Sequence, residues 1–276
     1  MKSTGCIAAL AVMSLAACAH RAPAGAERLA AALRSRPIVL LGEVHDNAAQ
    51  HALRAAALRT LVERGARPAL LMEQFDRERQ GDIDRVLARA GATADDLVAA
   101  GAPDATAMQG WAWPLYRPYL ALALEYRLNI VAANVSRADT RRVVQAGLAA
   151  LGFDAAVPPD IEAAQARAIV ESHCGAIDDT QARRLVAAQV ARDQFMARAI
   201  EAHADRGAVL LAGNGHVRRD IGVPRWLSPA TRERSVSIGV LEDGDANAAQ
   251  YGVALFTPAQ PRRDPCEGMR AAPPAR

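Results

Sequence analysis

Two short phrases constrain this chain more than anything else in it: Val39-Leu40-Leu41-Gly42-Glu43-Val44-His45 and Val209-Leu210-Leu211-Ala212-Gly213-Asn214-Gly215-His216. Each is a continuous apolar run that ends in Gly-x-x-His. Unbroken apolar runs of this length are the mark of a strand covered on both faces, as in a parallel sheet. A glycine at the end of such a run frees the backbone to turn at once. The carboxyl ends of parallel strands are where ligands bind, because the following loops fan apart there. Two histidines carried to strand ends by the same device, far apart in sequence, point to one shared site.

Four further strands are expected at 68–73, 129–133, 236–241 and 253–256, alternating with helices. Asp46 or Asn47 can cap a helix running to residue 64, closed by Gly65. The most amphipathic helix is expected at 178–203. Alternating strands and helices argue for an α/β fold with a mainly parallel central sheet flanked by helices. The middle of the chain carries more helix than crossovers need, so a helical subdomain at roughly 76–203 is expected over the carboxyl ends of the strands. With 276 residues the chain can build a substantial core. The main domain is set at 31–257, followed by a Pro- and Arg-rich tail, 258–276, expected to be disordered.

The first residues read as a targeting segment, 1–17. Lys2 is a minimal positive region, Ile7 to Leu15 an apolar one, and Leu15-Ala16-Ala17-Cys18 a small-residue processing site ending in cysteine. This looks like a bacterial lipoprotein signal with lipid on Cys18; an ordinary secretory signal is the alternative. Ala19 after the cysteine resembles the pattern sorted to the outer membrane. Residues 18–30 read as a tether. No other segment is long and apolar enough to span a bilayer, so attachment would be by lipid alone. Cys6 leaves with the signal, so Cys174 and Cys266 remain as thiols that could form one disulfide in an oxidising compartment. The absence of Cys-x-x-Cys-His excludes covalent c-type haem attachment. Lys2 is the only lysine; the arginines alternate with Asp and Glu along the chain, and the formal charge is +3, which reads against nucleic-acid binding.

The polar residues at the expected strand ends are Glu43 with His45, Glu73, Asn134, and Asn214 with His216. Carboxylates and imidazoles converging on one crevice suit a divalent metal or general acid–base chemistry. Such a cluster needs a cation, a shared proton or an arginine such as Arg218 to balance it. The segment 111–119 concentrates aromatics in an aromatic-poor chain: Trp111, Trp113, Tyr116 and Tyr119. Rings gathered in a Pro-broken stretch suggest a planar apolar ligand, or else an anchor for packing. Tyrosine beside arginine can also supply a phenolate ligand to ferric iron. His173 closes a helix, where histidines commonly serve the helix dipole; His203 has the same reading. His51 is expected to be solvated. Gln189, Arg192, Asp193 and Met196 lie on adjoining faces of one helix and read either as inter-helix contacts or as part of a ligand site.

These residues also carry a resemblance. Gly42 to Asn47, Met72-Glu73-Gln74-Phe75, Trp111 through Pro118, Ala132-Ala133-Asn134, Ser172-His173-Cys174, Arg192-Asp193-Gln194-Phe195-Met196-Ala197 and Gly213 through Pro224 resemble, in order, the ChaN-like haem-binding lipoproteins of the Tiki superfamily. The resemblance implies a periplasm-facing outer-membrane lipoprotein that binds haem for iron uptake. It implies cofacial haems at a homodimer interface and an outer-membrane haem receptor as a partner. Tyrosine is the implied iron ligand, with Tyr119 or Tyr116 as candidates and His173, Trp111, Trp113, Met196 and Arg192 near the cofactor. Other branches of the superfamily imply metal-dependent hydrolysis at the paired Gly-x-x-His motifs, here Glu43, His45, Glu73 and His216.

Overall fold

The computed structural model describes residues 24–104, 108–264, 266 and 267. The expected signal, Cys6, Cys18 and the last residues of the tail lie outside the described residues.

All six expected strands are present: β1 (Ile38–Leu41), β2 (Ala69–Asp76), β3 (Ile130–Asn134), β4 (Ala208–Leu211), β5 (Ser235–Glu242) and β6 (Val253–Thr257). They form one parallel sheet in the order β3-β2-β4-β1-β5-β6. The two Gly-x-x-His runs are its central strands. They pair directly, from Ile38 with Ala208 to Leu41 with Leu211, so both motifs leave the sheet side by side. Every residue of β1 and β4 is buried, which is why neither shows apolar–polar alternation.

Successive side chains alternate between the faces. Val39, Leu41, Leu70 and Met72 join a core with α1 (Ala24–Leu33), α2 (Ala48–Glu63), α3 (Gln80–Leu87), α4 (Ala94–Gly101) and α5 (Trp113–Tyr126). Ile38, Leu40, Leu71 and Leu210 pack on the other face against Met196 and Ile200 of α8 (Asp179–Glu201), and against Val217 and Val223. A third cluster, with Val143, Phe153, Ile169 and Val186, joins α6 (Arg137–Ala146), α7 (Pro159–Ser172) and α8. Two short helices complete the chain, α9 (Asn214–Val217) and α10 (Pro229–Glu233). No described helix is long and apolar enough to cross a membrane.

Part of the expected tether is helix. Ala26, Leu29, Ala30 and Leu33 of α1 are buried at helical spacing, and burying each leucine contributes about 1.5–3 kcal/mol. The small residues that read as a linker are what lets α1 lie close to α2: a Cβ at Gly25 would sit 3.4 Å from Leu53. α2 starts as expected, with Asn47 as N-cap accepting from the Gln50 amide at 3.1 Å. The aromatic segment, read as a Pro-broken stretch, is helical from Trp113, because proline is tolerated in the first turn, where its missing N–H has no partner to lose.

The described part of the tail is tied down rather than free. Arg262 donates to both carboxylate oxygens of Asp46, at 2.8 and 3.0 Å, and to those of Glu242, at 2.7 and 2.8 Å. Cys266 is disulfide-bonded to Cys174 at the end of α7, across a sequence separation of 92. Removing the bond with Cys266→Ser should lower the unfolding free energy by about 2–5 kcal/mol, since the bridge restricts a long loop in the unfolded chain. Urea denaturation of the variant beside the oxidised parent measures it; equal midpoints would show that the disulfide adds nothing to the stability of the fold.

Candidate functional site

The side-by-side exit of β1 and β4 brings Glu43, His45, Glu73 and His216 to one crevice at the carboxyl edge of the sheet. Its volume is about 410 Å³, and its lining includes Glu43, His45, Gln165, Ile169, His216 and Arg218. The closeness depends on glycine. A Cβ at Gly42 would overlap the Asn214 carboxamide, and one at Gly213 would lie 2.9 Å from the His45 ring.

The first half of the site rests on α2. Glu43 is 2 % exposed and ion-paired with Arg54, which is wholly buried and also donates to the Leu41 carbonyl at 3.1 Å. Tyr116 donates to Glu43 Oε1 at 2.5 Å, and His45 Nδ1 lies 2.9 Å from the same oxygen. The His45 side chain is 48 % exposed. Its Nδ1 is anchored and its Nε2 has no hydrogen-bond partner among the described residues. Trp111 packs against its ring edge-on, with centroids 4.9 Å apart. Behind it, Gln50 accepts from the Val44 amide at 2.7 Å, and His51 Nε2 donates to the His45 carbonyl at 3.0 Å.

His51 is therefore not solvated as expected. It is 3 % exposed, and burial pulls its pKa down to about 4, so it sits neutral under the loop. The Tyr119 hydroxyl lies 3.3 Å from its Nδ1 and within hydrogen-bond reach of Arg54.

The second half is an imidazole between two carboxylates. His216 Nδ1 lies 2.6 Å from Asp193 Oδ1, and its Nε2 lies 3.4 Å from Glu73 Oε1. Glu73 Oε2 also accepts the Gly213 amide at 2.7 Å. Burial alone would lower the His216 pKa, but Glu73 and Asp193 outweigh it and hold it up at about 10. Burial likewise works to raise Glu73, and the His216 cation overrides it, bringing the carboxyl to about 2. His216 is thus an imidazolium at neutral pH. The balancing cations are Arg54 and His216 itself, not Arg218, which pairs with Asp220 at 2.6 Å.

Among the described residues no group of three or more His, Cys, Asp or Glu side chains is placed to hold a metal ion. The reason is visible in the contacts: Glu43 and Glu73 are engaged by protein donors, and both His216 nitrogens face carboxylates. A divalent ion at Glu43, His45, Glu73 and His216 therefore has no ready donor set, which corrects that expectation.

Several residues expected beside a cofactor do not line the crevice. Tyr116 and Tyr119 are wholly buried, and burial pushes both phenols up, away from the phenolate an iron ligand would need. Trp113 is 3 % exposed and stacks on Phe75, and Met196 is a core residue under the sheet. His173 donates from Nδ1 to the Ile169 carbonyl at 2.8 Å and closes α7; His203 does the same to Ala199 at 2.9 Å. Arg192 is half-buried on α8, with its charge near Asp76 and Asp193. Asn134 accepts from the Val135 amide on an edge strand, and Asn214 bridges to Val240 of β5.

Of three residues essential to this geometry, Arg54 and His51 are not expected at the site from the sequence, and Asp193 is left open between an inter-helix contact and part of a ligand site. A signal existed for the first two. Gln50, His51 and Arg54 are the polar start of the α2 face that continues as Ala57, Leu58, Leu61 and Val62, all buried. Polar residues in register with a buried apolar stripe mark a helix end lying under a polar site.

A family model described as haem-binding uptake, Tiki superfamily, ChaN, matches residues 29–227. No curated protein matches the chain. Among solved structures, a ChaN of Campylobacter jejuni, described as binding haem cofacially, is similar with a TM-score of 0.68 and 19 % identity, over 82 % of this chain and 90 % of that one. The type III effector HopBA1 is similar with a TM-score of 0.52 and 14 % identity, over 86 % and 94 %. Both likenesses concern the fold. The family match spans the strands and helices that build the crevice, Glu43 through His216 included, and on that ground the chain belongs to the ChaN family of haem-binding uptake proteins in the Tiki superfamily.

Proposed function

We propose that this protein binds haem at the strand-end crevice, as an outer-membrane lipoprotein acylated at Cys18 and acting in iron uptake. Family membership supports haem as the ligand. The observation that carries the choice of site is His45: half-exposed, lining the crevice, anchored through Nδ1 by Glu43, and with no hydrogen-bond partner on Nε2 among the described residues. A carboxylate on one imidazole nitrogen fixes the tautomer and strengthens the other as a ligand, and neutral histidine is an established axial ligand of haem iron. Val44, Ala168, Ile169 and Ile221 line the crevice with apolar groups suited to a porphyrin, and Arg218, paired with Asp220, lines it as well. Haem held there would supply bound iron for transfer. Tyrosinate ligation by Tyr116 or Tyr119 would require α5 to leave the core, and we place the iron at His45 instead. The cofacial haem binding described for the Campylobacter protein, and the homodimer that the resemblance implies, extend to this chain as part of the same proposal.

Ferric haem added to the full-length chain should give a shifted Soret band. His45→Ala should move that band and weaken binding at least roughly tenfold, as loss of one axial ligand of about 1.4 kcal/mol or more implies. Tyr116→Phe and Tyr119→Phe should leave its position unchanged. A band altered by the tyrosine variants alone would return the ligand to α5, and no Soret shift would reject haem.

A second reading has one specific observation in its favour. The His45–Glu43 pair, with a free Nε2 at a crevice, is also the arrangement of a general base that activates water. Hydrolysis of an ester or peptide abolished by His45→Ala, with no dependence on added metal or chelator, would favour it.

A further inference from the structure

A parallel sheet gathers the starts of its strands at one end, opposite the ligand crevice. In this chain that end is basic. Arg34 and Arg36 precede β1, Arg64 and Arg67 precede β2, Arg127 precedes β3, and Arg206 precedes β4; all six are exposed. Scattered in sequence, they share a face only because the strands are parallel. Arg34 and Arg67 donate to the carbonyls of Ala30, Val62 and Ala66, so helix ends account for part of their placement. Arg36, Arg64, Arg127 and Arg206 have no side-chain hydrogen bond or ion pair among the described residues. Of the nearby carboxylates, Glu63 and Glu125 are both engaged by Arg59, which leaves Asp205 and, just before β5, Glu233, the latter next to a further exposed arginine, Arg234. Five of these arginines surround a cavity of about 460 Å³ whose walls include Leu33, Val39, Leu61 and Val209.

We propose that this strand-entry face docks on an anionic phospholipid bilayer. Unpaired guanidinium groups around an apolar hollow match phosphate headgroups above acyl chains. Each arginine near such a surface strengthens binding about fivefold, an effect that fades beyond a Debye length. The chain geometry agrees. α1 runs alongside α2, from Gly25 beside Leu53 down to Leu33 at the basic cavity, a length of about 15 Å. Cys18 stands six residues before Ala24, and six residues reach at most about 20 Å. A lipid at Cys18 therefore reaches the plane of the arginines. Docking in this way turns the crevice away from the membrane.

The test uses the full-length chain carrying Cys18→Ala, so that no acyl anchor contributes, with vesicles of phosphatidylcholine alone or with about 30 % phosphatidylglycerol. Any pull from the N-terminal apolar segment is common to both vesicle types. The anionic vesicles should bind at least about tenfold more tightly, and about 0.5 M salt should abolish the difference. The triple variant R36E/R64E/R206E should lose roughly a hundredfold on anionic vesicles. The charge-matched variant R141E/R142E/R184E, altered on α6 and α8, should lose far less. Equal losses in the two triple variants, no preference for the anionic vesicles, or tighter binding to a DNA duplex than to vesicles would each overturn the proposal. Acylation and haem binding can fail independently of this result.

Discussion

Substituting Arg54 with methionine should lower the unfolding free energy by about 3–5 kcal/mol, the usual cost of leaving a buried charge without its partner. Glu43 is 2 % exposed and its neighbours, Tyr116 and His45, donate hydrogen bonds but bring no permanent cation. Adding Glu43→Gln to the Arg54→Met chain should recover much of the loss, because the remaining groups are then neutral. Urea denaturation of the two single variants and the double variant measures the coupling. An Arg54→Met loss below about 1 kcal/mol would mean that the Tyr116 and His45 hydrogen bonds suffice, and Arg54 would then be a packing residue.

The second large effect concerns His216 and pH. Its folded pKa, about 10, stands above the ordinary 6.5, so the folded state holds a proton that the unfolded chain gives up between those values. That contribution is full below pH 6.5 and is lost as pH rises through 10. Glu73 is held down at about 2 from 4.5, and its contribution is lost as pH falls through that range. His51, held neutral down to about 4, lets the unfolded state take up a proton first, so it too lowers stability below pH 6.5. Stability should therefore peak near pH 6.5, with a slope of about 1.4 kcal/mol per pH unit at the steepest part of the alkaline limb. His216→Gln should flatten that limb and cost about 3–5 kcal/mol at neutral pH, since Glu73 and Asp193 would face each other unbalanced. Direct titration of the His216 ring by NMR is the sharper check: a midpoint near 6.5 would show that the two carboxylates do not hold the proton.

The strands were legible because strands buried on both faces must be apolar throughout, and β1 and β4 are. Their adjacency was not written in either run; it follows from β4 inserting between β1 and β2. The convergence of Glu43, His45, Glu73 and His216 followed from strand-end logic, but the identity of the balancing charges did not. Arg54 comes from the buried face of a helix whose Ala- and Leu-rich sequence also accommodates an exposed arginine. Asp193 sits mid-helix, where a carboxylate is ordinarily solvated. Tyr116 and Tyr119 invited a ligand role by type, and only tertiary packing reveals that their hydroxyls serve Glu43 and His51. The arginine face was invisible for the opposite reason, since its members are far apart in sequence.

The tail that carries Arg262 and Cys266 sets a limit on aperture. One end of this strap holds Asp46, next to His45; the other holds Cys174, two residues past Ser172, and His45 and Ser172 line the same crevice. Between Arg262 and Cys266 lie four peptide units, which cannot extend beyond about 14 Å by any path. While the disulfide and the Arg262 pair hold, the loop after β1 and the end of α7 can separate no farther than that length and the side chains at its ends allow. A ligand that needs the two walls farther apart than this tether allows is admitted only when the disulfide or the Arg262 pair is broken.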